Sequence, residues 1–157
     1  MGPDNLHVQP GQVAPKGSRV LRIESTSDDT AQTHGMIRKV AISRDGISNQ
    51  LWFGRVTCPP GLNSGPHHHG AAETAGYMLS GERIRIYFGE NFETFVDIEP
   101  GDCLYVPPWL PHIEVNLSAD TPGEFVTARV PDNIVLNLED NSVIDDIGTS
   151  QDAGGSL

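Results

Sequence analysis

Short segments in which apolar and polar residues alternate recur along most of the chain, with Gly or Pro between them. In residues 82–89 (ERIRIYFG), for example, Arg83 and Arg85 alternate with Ile84 and Ile86. A period of two is typical of a β-strand that buries one face, and no sequence window keeps apolar residues at helical spacing over three turns without a Gly or Pro. The sequence therefore predicts an all-β fold, a sandwich or barrel of about ten short strands. The predicted strands are RVLRIES (19–25), MIRKVAIS (36–43), QLWFGRVTC (50–58), GYMLSG (76–81), ERIRIYFG (82–89), FETFVDI (92–98), DCLYV (102–106), HIEVNLS (112–118), EFVTARV (124–130) and NIVLNL (133–138).

The links between these strands are rich in turn formers, since the chain has 17 Gly and 12 Pro. Three links carry Gly or Pro where a tight turn needs it and are predicted to form hairpins. They are LSGER (79–83), GENF (89–92) and IEPGD (98–102).

A length of 157 residues fits one domain with a core of its own. Residues 1–18 are rich in Gly, Pro and Gln and are predicted to form a flexible arm. Residues 19–138 hold the predicted strands and form the domain. Residues 139–157 are acidic and rich in Gly and Ser, which predicts a disordered tail.

The chain carries 10 Lys and Arg against 21 Asp and Glu, a formal net charge of −11. Nucleic acids and anionic membranes both bind basic surfaces, and these few basic residues are scattered, so we predict neither as a partner. The sequence has no run of about 18 apolar residues and no apolar core of a signal peptide. Cys58 and Cys103 are too few for a disulfide scaffold and are predicted to be buried, reduced thiols. Together these features predict a cytoplasmic protein.

Three consecutive histidines, His67, His68 and His69, stand in the stretch GLNSGPHHHGAAE (61–73). Alternate side chains of a strand share a face, so His67 and His69 would point one way and His68 the other. A metal ion needs further ligands, and the next candidate is His112, at the start of a predicted strand.

The stretch around the histidines has a recognisable order. Gly61 is followed by five residues, the pair His67 and His69, three residues, Glu73 and later the turn residue Gly81. This order resembles the first motif of the cupin superfamily.

A second segment, GDCLYVPPWLPHIEVN, resembles the second cupin motif. It has Gly101, Pro107, His112 and Asn116 at the motif's spacing, with Trp109 where Gly is usual. Two linked motifs are specific for the fold and for a metal pocket, but the same barrel supports many reactions.

The resemblance implies a cupin-type jelly-roll β-barrel, also called a double-stranded β-helix, with extra flanking strands. It implies one divalent transition metal ion inside the barrel, held by His67, His69 and His112, with Fe, Zn, Mn and Ni as candidates. It also implies a homodimer, because cupins often pair through their outer strands.

The fourth metal ligand is ambiguous in this sequence. Counting three residues forward from His69 places Glu73 at the glutamate position of the motif, whereas counting six residues back from Gly81 places Thr74 there. A shift of one residue turns a strand side chain to the opposite face, unless a bulge restores it. The site is therefore either three histidines with Glu73, or three histidines with waters and with Thr74 or a substrate oxygen nearby.

The apolar and aromatic residues near the two motifs are the candidate wall of a pocket for a small apolar or aromatic substrate. Either face of the strand DCLYV could look into the barrel. Candidate acid or base groups are Glu73, if it is not a ligand, and the two tyrosines Tyr77 and Tyr105. The candidate wall residues are Trp52, Phe53, Tyr77, Leu79, Tyr105, Trp109, Ile113 and Phe125.

Three histidines leave coordination positions open, which suits two kinds of chemistry. A redox-active ion would bind substrate and O₂, as in dioxygenase-type oxidoreductases, and this is the first prediction. An ion such as Zn²⁺ would polarise a carbonyl in a polyketide-cyclase-like, lyase or isomerase reaction. A third possibility is a cupin that binds a small molecule without turnover.

Overall fold

A computed structural model describes residues 28–29, 35–43 and 48–138 of the chain, and for 28–29 the backbone alone. The described residues form eleven β-strands, so the all-β prediction is confirmed. The predicted strand 19–25, the arm at 1–18 and the tail at 139–157 lie outside the described residues. The strands are β1 (Asp28–Asp29), β2 (Ile37–Ile42), β3 (Trp52–Cys58), β4 (His67–His68), β5 (Glu73–Ser80), β6 (Ile84–Phe88), β7 (Thr94–Ile98), β8 (Cys103–Val106), β9 (His112–Asn116), β10 (Gly123–Val130) and β11 (Leu136–Asn137).

The strands form two antiparallel sheets that pack face to face. One sheet has the order β1-β2-β3-β10-β5-β8 and the other the order β11-β4-β9-β6-β7. Both contribute to a single hydrophobic cluster, in which Trp52, Val56 and Met78 of the first sheet meet Ile84 and Ile86 of the second. This is the jelly-roll arrangement that the cupin resemblance implies.

Strand β10 lies at the centre of the larger sheet, between β3 and β5. Its burial alternates along its length, so Phe125, Thr127 and Arg129 point into the barrel. An arginine at such a position has to find polar partners, because burying an unpaired guanidinium is costly. Its partners belong to the site described below.

The predicted turns all lie between strands, but only one of them closes a hairpin. Residues 89–92 join β6 to β7, which pair with each other. Residues 79–83 lead from β5 to β6 and residues 98–102 lead from β7 to β8, and in both places the chain crosses between the sheets. Gly81 suits the first crossing, because its φ is +116° and a Cβ there would lie 2.8 Å from the Cα of Gly123.

The faces of β5 and β8 are set by their place in the larger sheet. Leu104 and Val106 of β8 point towards the barrel interior, whereas Cys103 and Tyr105 point outwards. The prediction that both cysteines are buried is therefore wrong for Cys103, which is exposed, and right for Cys58. No helix in the described part of the chain is long and apolar enough to cross a membrane.

Candidate metal centre

Three histidines from two neighbouring strands meet inside the barrel. His67 lies on β4, His69 follows that strand, and His112 begins β9, where it is the direct cross-strand partner of His67. All three are buried, and one ligand atom from each lies within 4.8 Å of the other two. This spacing fits three ligands of one ion, because a divalent ion such as Zn²⁺ lies about 2.0–2.1 Å from each imidazole nitrogen that binds it.

The hydrogen bonds of the three rings leave one nitrogen of each directed at the common space. The Nδ1 atoms of His67, His69 and His112 lie 3.1, 2.9 and 2.9 Å from the carbonyl oxygens of Gly65, Ile134 and Leu110. A carbonyl oxygen accepts only, so each Nδ1 carries the proton and each Nε2 carries the lone pair. This is the tautomer that a metal-binding histidine needs, with its orientation held from behind.

Two of the three inward nitrogens lack a partner in the described part of the chain, and the third, on His69, lies beside Arg129. Among the described residues, Nε2 of His67 and Nε2 of His112 have no hydrogen-bond partner. Burial lowers the pKa of His67 to about 4, and it also lowers the pKa of His69 and of His112. All three rings are therefore neutral at neutral pH, and the residues present fit a divalent ion.

His68 is placed differently from its two neighbours, as the alternation along a strand predicts. It is half-buried, and its ring lies 5.7 Å from that of Trp109, which is itself exposed. Its Nδ1 accepts a hydrogen bond from the backbone N–H of Gly70. His68 therefore faces away from the three-histidine cluster.

Glu73 does not reach this cluster, which corrects its assignment as a possible ligand. It is exposed, and its Oε1 accepts a hydrogen bond of 3.0 Å from the hydroxyl of Tyr105. Strand β5 keeps a regular register at this point, with Glu73 opposite Val130 and Thr74 opposite Arg129. The inward position of the motif is therefore occupied by Thr74, which is buried.

We accordingly expect Glu73→Ala to bind Zn²⁺ as the unchanged protein does, within about twofold, because its carboxylate lies on the outer face. Isothermal titration of the metal-free protein measures this. Thr74→Val changes the neighbouring residue, whose side chain points into the barrel, and its Zn²⁺ affinity is measured for comparison. A drop of more than about tenfold for Glu73→Ala would restore the four-ligand site.

Arg129 takes the space beside Thr74. Its Nε donates a hydrogen bond of 3.2 Å to Oγ1 of Thr74, and its Nη1 donates to Oδ1 of Asn133. Its Nη2 lies 3.5 Å from Nε2 of His69, and its guanidinium carbon lies 5.2 Å from the ring centroid of Trp52. With 4% of its surface exposed, Arg129 is part of the interior of the site.

Glu114 brings a carboxylate into the same interior. It lies two residues after His112 on β9, and its Oε2 is 3.5 Å from Nε2 of His67. Within the described part of the chain this Oε2 has no hydrogen-bond partner. Two acceptor atoms face each other here without a donor between them, so a group that brings a proton or a positive charge would stabilise the pair.

The charges of the site influence one another. Burial and the neighbouring cation Arg38 lower the pKa of Arg129 to about 9, although Glu114 opposes this. Burial alone would raise the pKa of Glu114, but nearby positive charge, including that of Arg129 and Arg38, outweighs burial, so the net shift is downwards. At neutral pH Glu114 is therefore ionised and Arg129 is protonated.

A cavity of about 30 Å³ adjoins the cluster at His69, enough for about two water-sized groups. Its polar end is lined by His69, Thr74, Glu114 and Arg129, and the rest is mainly apolar. Cys58 also lines it, but burial raises the pKa of its thiol, so it is a neutral wall residue.

The sequence matches the family model of the cupin domain over residues 54–129. This region spans β3 to β10 and contains all three histidines. Residues 54–129 form a cupin domain. The sequence has no significant match among curated proteins.

Solved structures support the cupin fold. The polyketide cyclase RemF from Streptomyces resistomycificus gives a TM-score of 0.66 at 14% identity, over 81% of this chain and 89% of that chain. A predicted oxalate decarboxylase from Thermotoga maritima gives 0.59 at 20%, over 71% and 98%. A conserved protein with a double-stranded β-helix domain from Klebsiella pneumoniae gives 0.58 at 19%, over 78% and 99%. At these identities the similarity shows the shared fold.

The wall of the cupin pocket differs from the one expected from sequence. Of the predicted residues, Phe125 lines the cavity, and Trp52 is buried in the core beside Arg129. Ile113 is buried on the opposite face of β9, in a second cluster with Phe92 and Val115. The actual wall includes inward residues that the sequence reasoning passed over, namely Met36, Val56, Ile84, Ile86, Leu104, Val106 and Thr127.

The other predicted wall residues lie outside the cavity, and their assignment has to be corrected. Tyr77, Leu79 and Tyr105 are exposed, because they project from the outer faces of β5 and β8. The prediction that Tyr77 and Tyr105 are acid or base groups of the site is corrected for the same reason, since neither side chain reaches the interior. Trp109 is 62% exposed and Phe53 is half-buried, opposite to the inward Trp52.

Two polar residues of the interior, Glu114 and Arg129, were missed from the sequence. A signal existed for Glu114, since the alternation that separates His67 from His68 also places Glu114 on the face of His112. For Arg129 the signal was weaker. Arg129 lies on the opposite face of the predicted strand from Val126 and Ala128, and a charged residue in such a pattern usually indicates the solvent face.

Proposed function

We propose that this cupin is a metal-dependent enzyme that moves a proton on a small-molecule substrate, in a reaction of the lyase, isomerase or cyclase type. His67, His69 and His112 would hold one divalent ion. The observation that carries the proposal is the half-buried Glu114, whose buried Oε2 lies 3.5 Å from Nε2 of His67 and has no hydrogen-bond partner among the described residues.

Glu114 has the properties of a general base. Nearby positive charge, including that of Arg129, holds the pKa of Glu114 below its usual value, so the carboxylate is ionised at neutral pH, which is the state that can accept a proton. Its Oε2 is not engaged by another described residue, so a substrate C–H or O–H is free to approach it. A bound divalent ion would polarise a substrate oxygen and thereby make a neighbouring proton more acidic.

The protein's own residues would also orient the substrate. The apolar side of the cavity, with Val56, Ile86 and Phe125, would exclude water and hold a hydrocarbon part. The polar side would keep the reacting group at Glu114. The structural similarity to a protein described as a polyketide cyclase is consistent with this class of reaction.

A dioxygenase-type reaction is the second candidate, and one observation favours it. The clustered ligand set comprises three neutral histidines, and the inward position of the motif carries Thr74. A three-histidine site leaves positions for O₂ and a bidentate substrate. The dioxygenase needs a redox-active ion and consumes O₂, whereas the proton-transfer reaction needs neither. Fe, Zn, Mn and Ni all suit imidazole ligands.

Purification without added metal, followed by metal analysis and O₂ electrode measurements, separates these candidates. Proton transfer is then tested with pyruvate in D₂O, because pyruvate offers two oxygens to an ion and has exchangeable methyl protons. We expect the Zn²⁺-loaded protein to accelerate the exchange beyond Zn²⁺ alone, as measured by NMR. Glu114→Gln should slow it by about 10²- to 10⁴-fold.

The control for this experiment is Glu90→Gln, which removes an exposed carboxylate and should exchange normally. Unchanged exchange in Glu114→Gln would overturn the role of Glu114, and loss of Zn²⁺ from that variant would make Glu114 a ligand. Bound Fe with O₂ uptake and no exchange would support the dioxygenase. Tight retention of a ligand without turnover would support the binding module. The homodimer and the cytoplasmic location stay predictions.

A further inference from the structure

Arg129 occupies a position at which a positive charge conflicts with a metal ion. The first cupin motif has a glutamate there by one of the two countings, and this chain has Thr74 with Arg129 hydrogen-bonded to it. A carboxylate ligand is thus replaced by a neutral hydroxyl and a buried cation. Any ion at the three histidines would lie next to that cation.

The conflict is centred on one lone pair. Nδ1 of His69 bonds to the carbonyl oxygen of Ile134, so its Nε2 is an acceptor, and Nη2 of Arg129 lies 3.5 Å from it. A metal ion on His69 would take the same lone pair. Nη2 would then lose this acceptor and stand beside a doubly charged ion, while Nε and Nη1 stayed bound to Thr74 and Asn133.

A small anion would resolve the conflict. Three neutral imidazoles cancel none of the charge, and Glu114 cancels one unit, so a divalent ion, Arg129 and Glu114 together carry a net charge of +2. A carboxylate oxygen between the ion and Nη2 would neutralise part of it and give Nη2 an acceptor. The cavity beside Arg129 has room for about two water-sized groups, which is the size of the two oxygens of a carboxylate.

We propose that Arg129 is the anion-binding residue of this site, and that a divalent ion and a small organic carboxylate bind together, each raising the affinity for the other. The proposal rests on the metal site of the proposed function. It assigns the substrate class, a small molecule with a carboxylate or an equivalent oxyanion, and it assigns Arg129 the role of holding that group against the ion.

The test is the binding of Zn²⁺ to the full chain by isothermal titration, with acetate and with acetamide, its uncharged counterpart. We expect acetate to strengthen Zn²⁺ binding by at least about fivefold, within the usual range of coupling between two ligands, and acetamide to have no effect. With Co²⁺ in place of Zn²⁺, acetate should also change the visible spectrum, which is a readout independent of activity.

Two variants locate the effect. Arg129→Gln removes the charge, so it should bind Zn²⁺ more tightly than the unchanged protein without acetate and lose most of the response to acetate. Arg55→Gln is the matched control, because Arg55 is a half-buried arginine on β3 that pairs with Glu124. It should keep both the affinity and the response.

The outcomes separate the two proposals. Zn²⁺ binding that is the same with acetate, with acetamide and in Arg129→Gln would overturn the role of Arg129 and leave the metal site standing. No Zn²⁺ binding under any condition would overturn the metal site itself, and with it this inference. If Arg129→Gln does not fold, the comparison of acetate with acetamide on the unchanged protein decides alone.

Discussion

Replacement of His67, His69 or His112 by alanine is expected to weaken Zn²⁺ binding by more than about 100-fold, the upper end of what an outer-shell residue costs. Each ring contributes one inward Nε2 to the cluster, and its Nδ1 is already engaged by a backbone carbonyl. A missing ring leaves two ligands, which hold a divalent ion poorly. His68→Ala should bind as the unchanged protein does.

His68 is a stringent control because it is adjacent in sequence to two members of the cluster. Titration with Zn²⁺ and measurement of the metal bound per chain distinguish the four variants. Thermal unfolding without metal checks that each variant is folded. Equal loss of Zn²⁺ in all four variants would contradict the prediction that His68 faces away from the cluster. Retention of Zn²⁺ in His112→Ala would show that the site uses other ligands.

Replacement of Asn116 by aspartate is expected to destabilise the fold by about 3 kcal/mol or more, because it removes a buried donor. The side chain is 2% exposed. Its Nδ2 donates to the carbonyl oxygens of Cys58, Pro59 and Thr121, at 3.0, 3.1 and 2.9 Å. Its Oδ1 accepts from the backbone N–H of Ser118. Asn116 thus joins three segments of chain.

Aspartate has almost the same shape but offers no donor when ionised. Its second oxygen would face the three carbonyl oxygens, so it should be at least as harmful as Asn116→Ala. Urea unfolding measures the loss. Asn137→Asp makes the same chemical change at an exposed position and should cost less than about 0.5 kcal/mol. Equal stability of Asn116→Asp and Asn137→Asp would refute the stabilising role of the Asn116 hydrogen bonds.

The strands could be predicted because burial of one face imposes a period of two on the sequence, as in β3 and β10. The links were less predictable. Gly81 was expected in a hairpin, but it lies where the chain crosses from one sheet to the other. A tight turn needs the same residues in both cases, so turn chemistry alone does not tell which strands pair.

Alternation also divides a strand into two faces without saying which face is inside. Tyr77 and Tyr105 were expected at the pocket because aromatic residues are commonly buried, yet both are exposed. Their strands lie side by side, with Tyr105 opposite Ala75 and Tyr77 opposite Cys103. The inner side is set by where the second sheet packs, which depends on residues distant in sequence.

By itself, the sequence determined most of the described strands and the His67, His69 and His112 set, because strand periodicity and motif spacing are local patterns. The tertiary structure decided the rest of the site. It placed Thr74 rather than Glu73 inside, and it brought Arg129 to Thr74 across 55 positions of sequence. Such contacts arise from the register between strands and from the burial they share. These are properties of the assembled sheets, and no single segment encodes them.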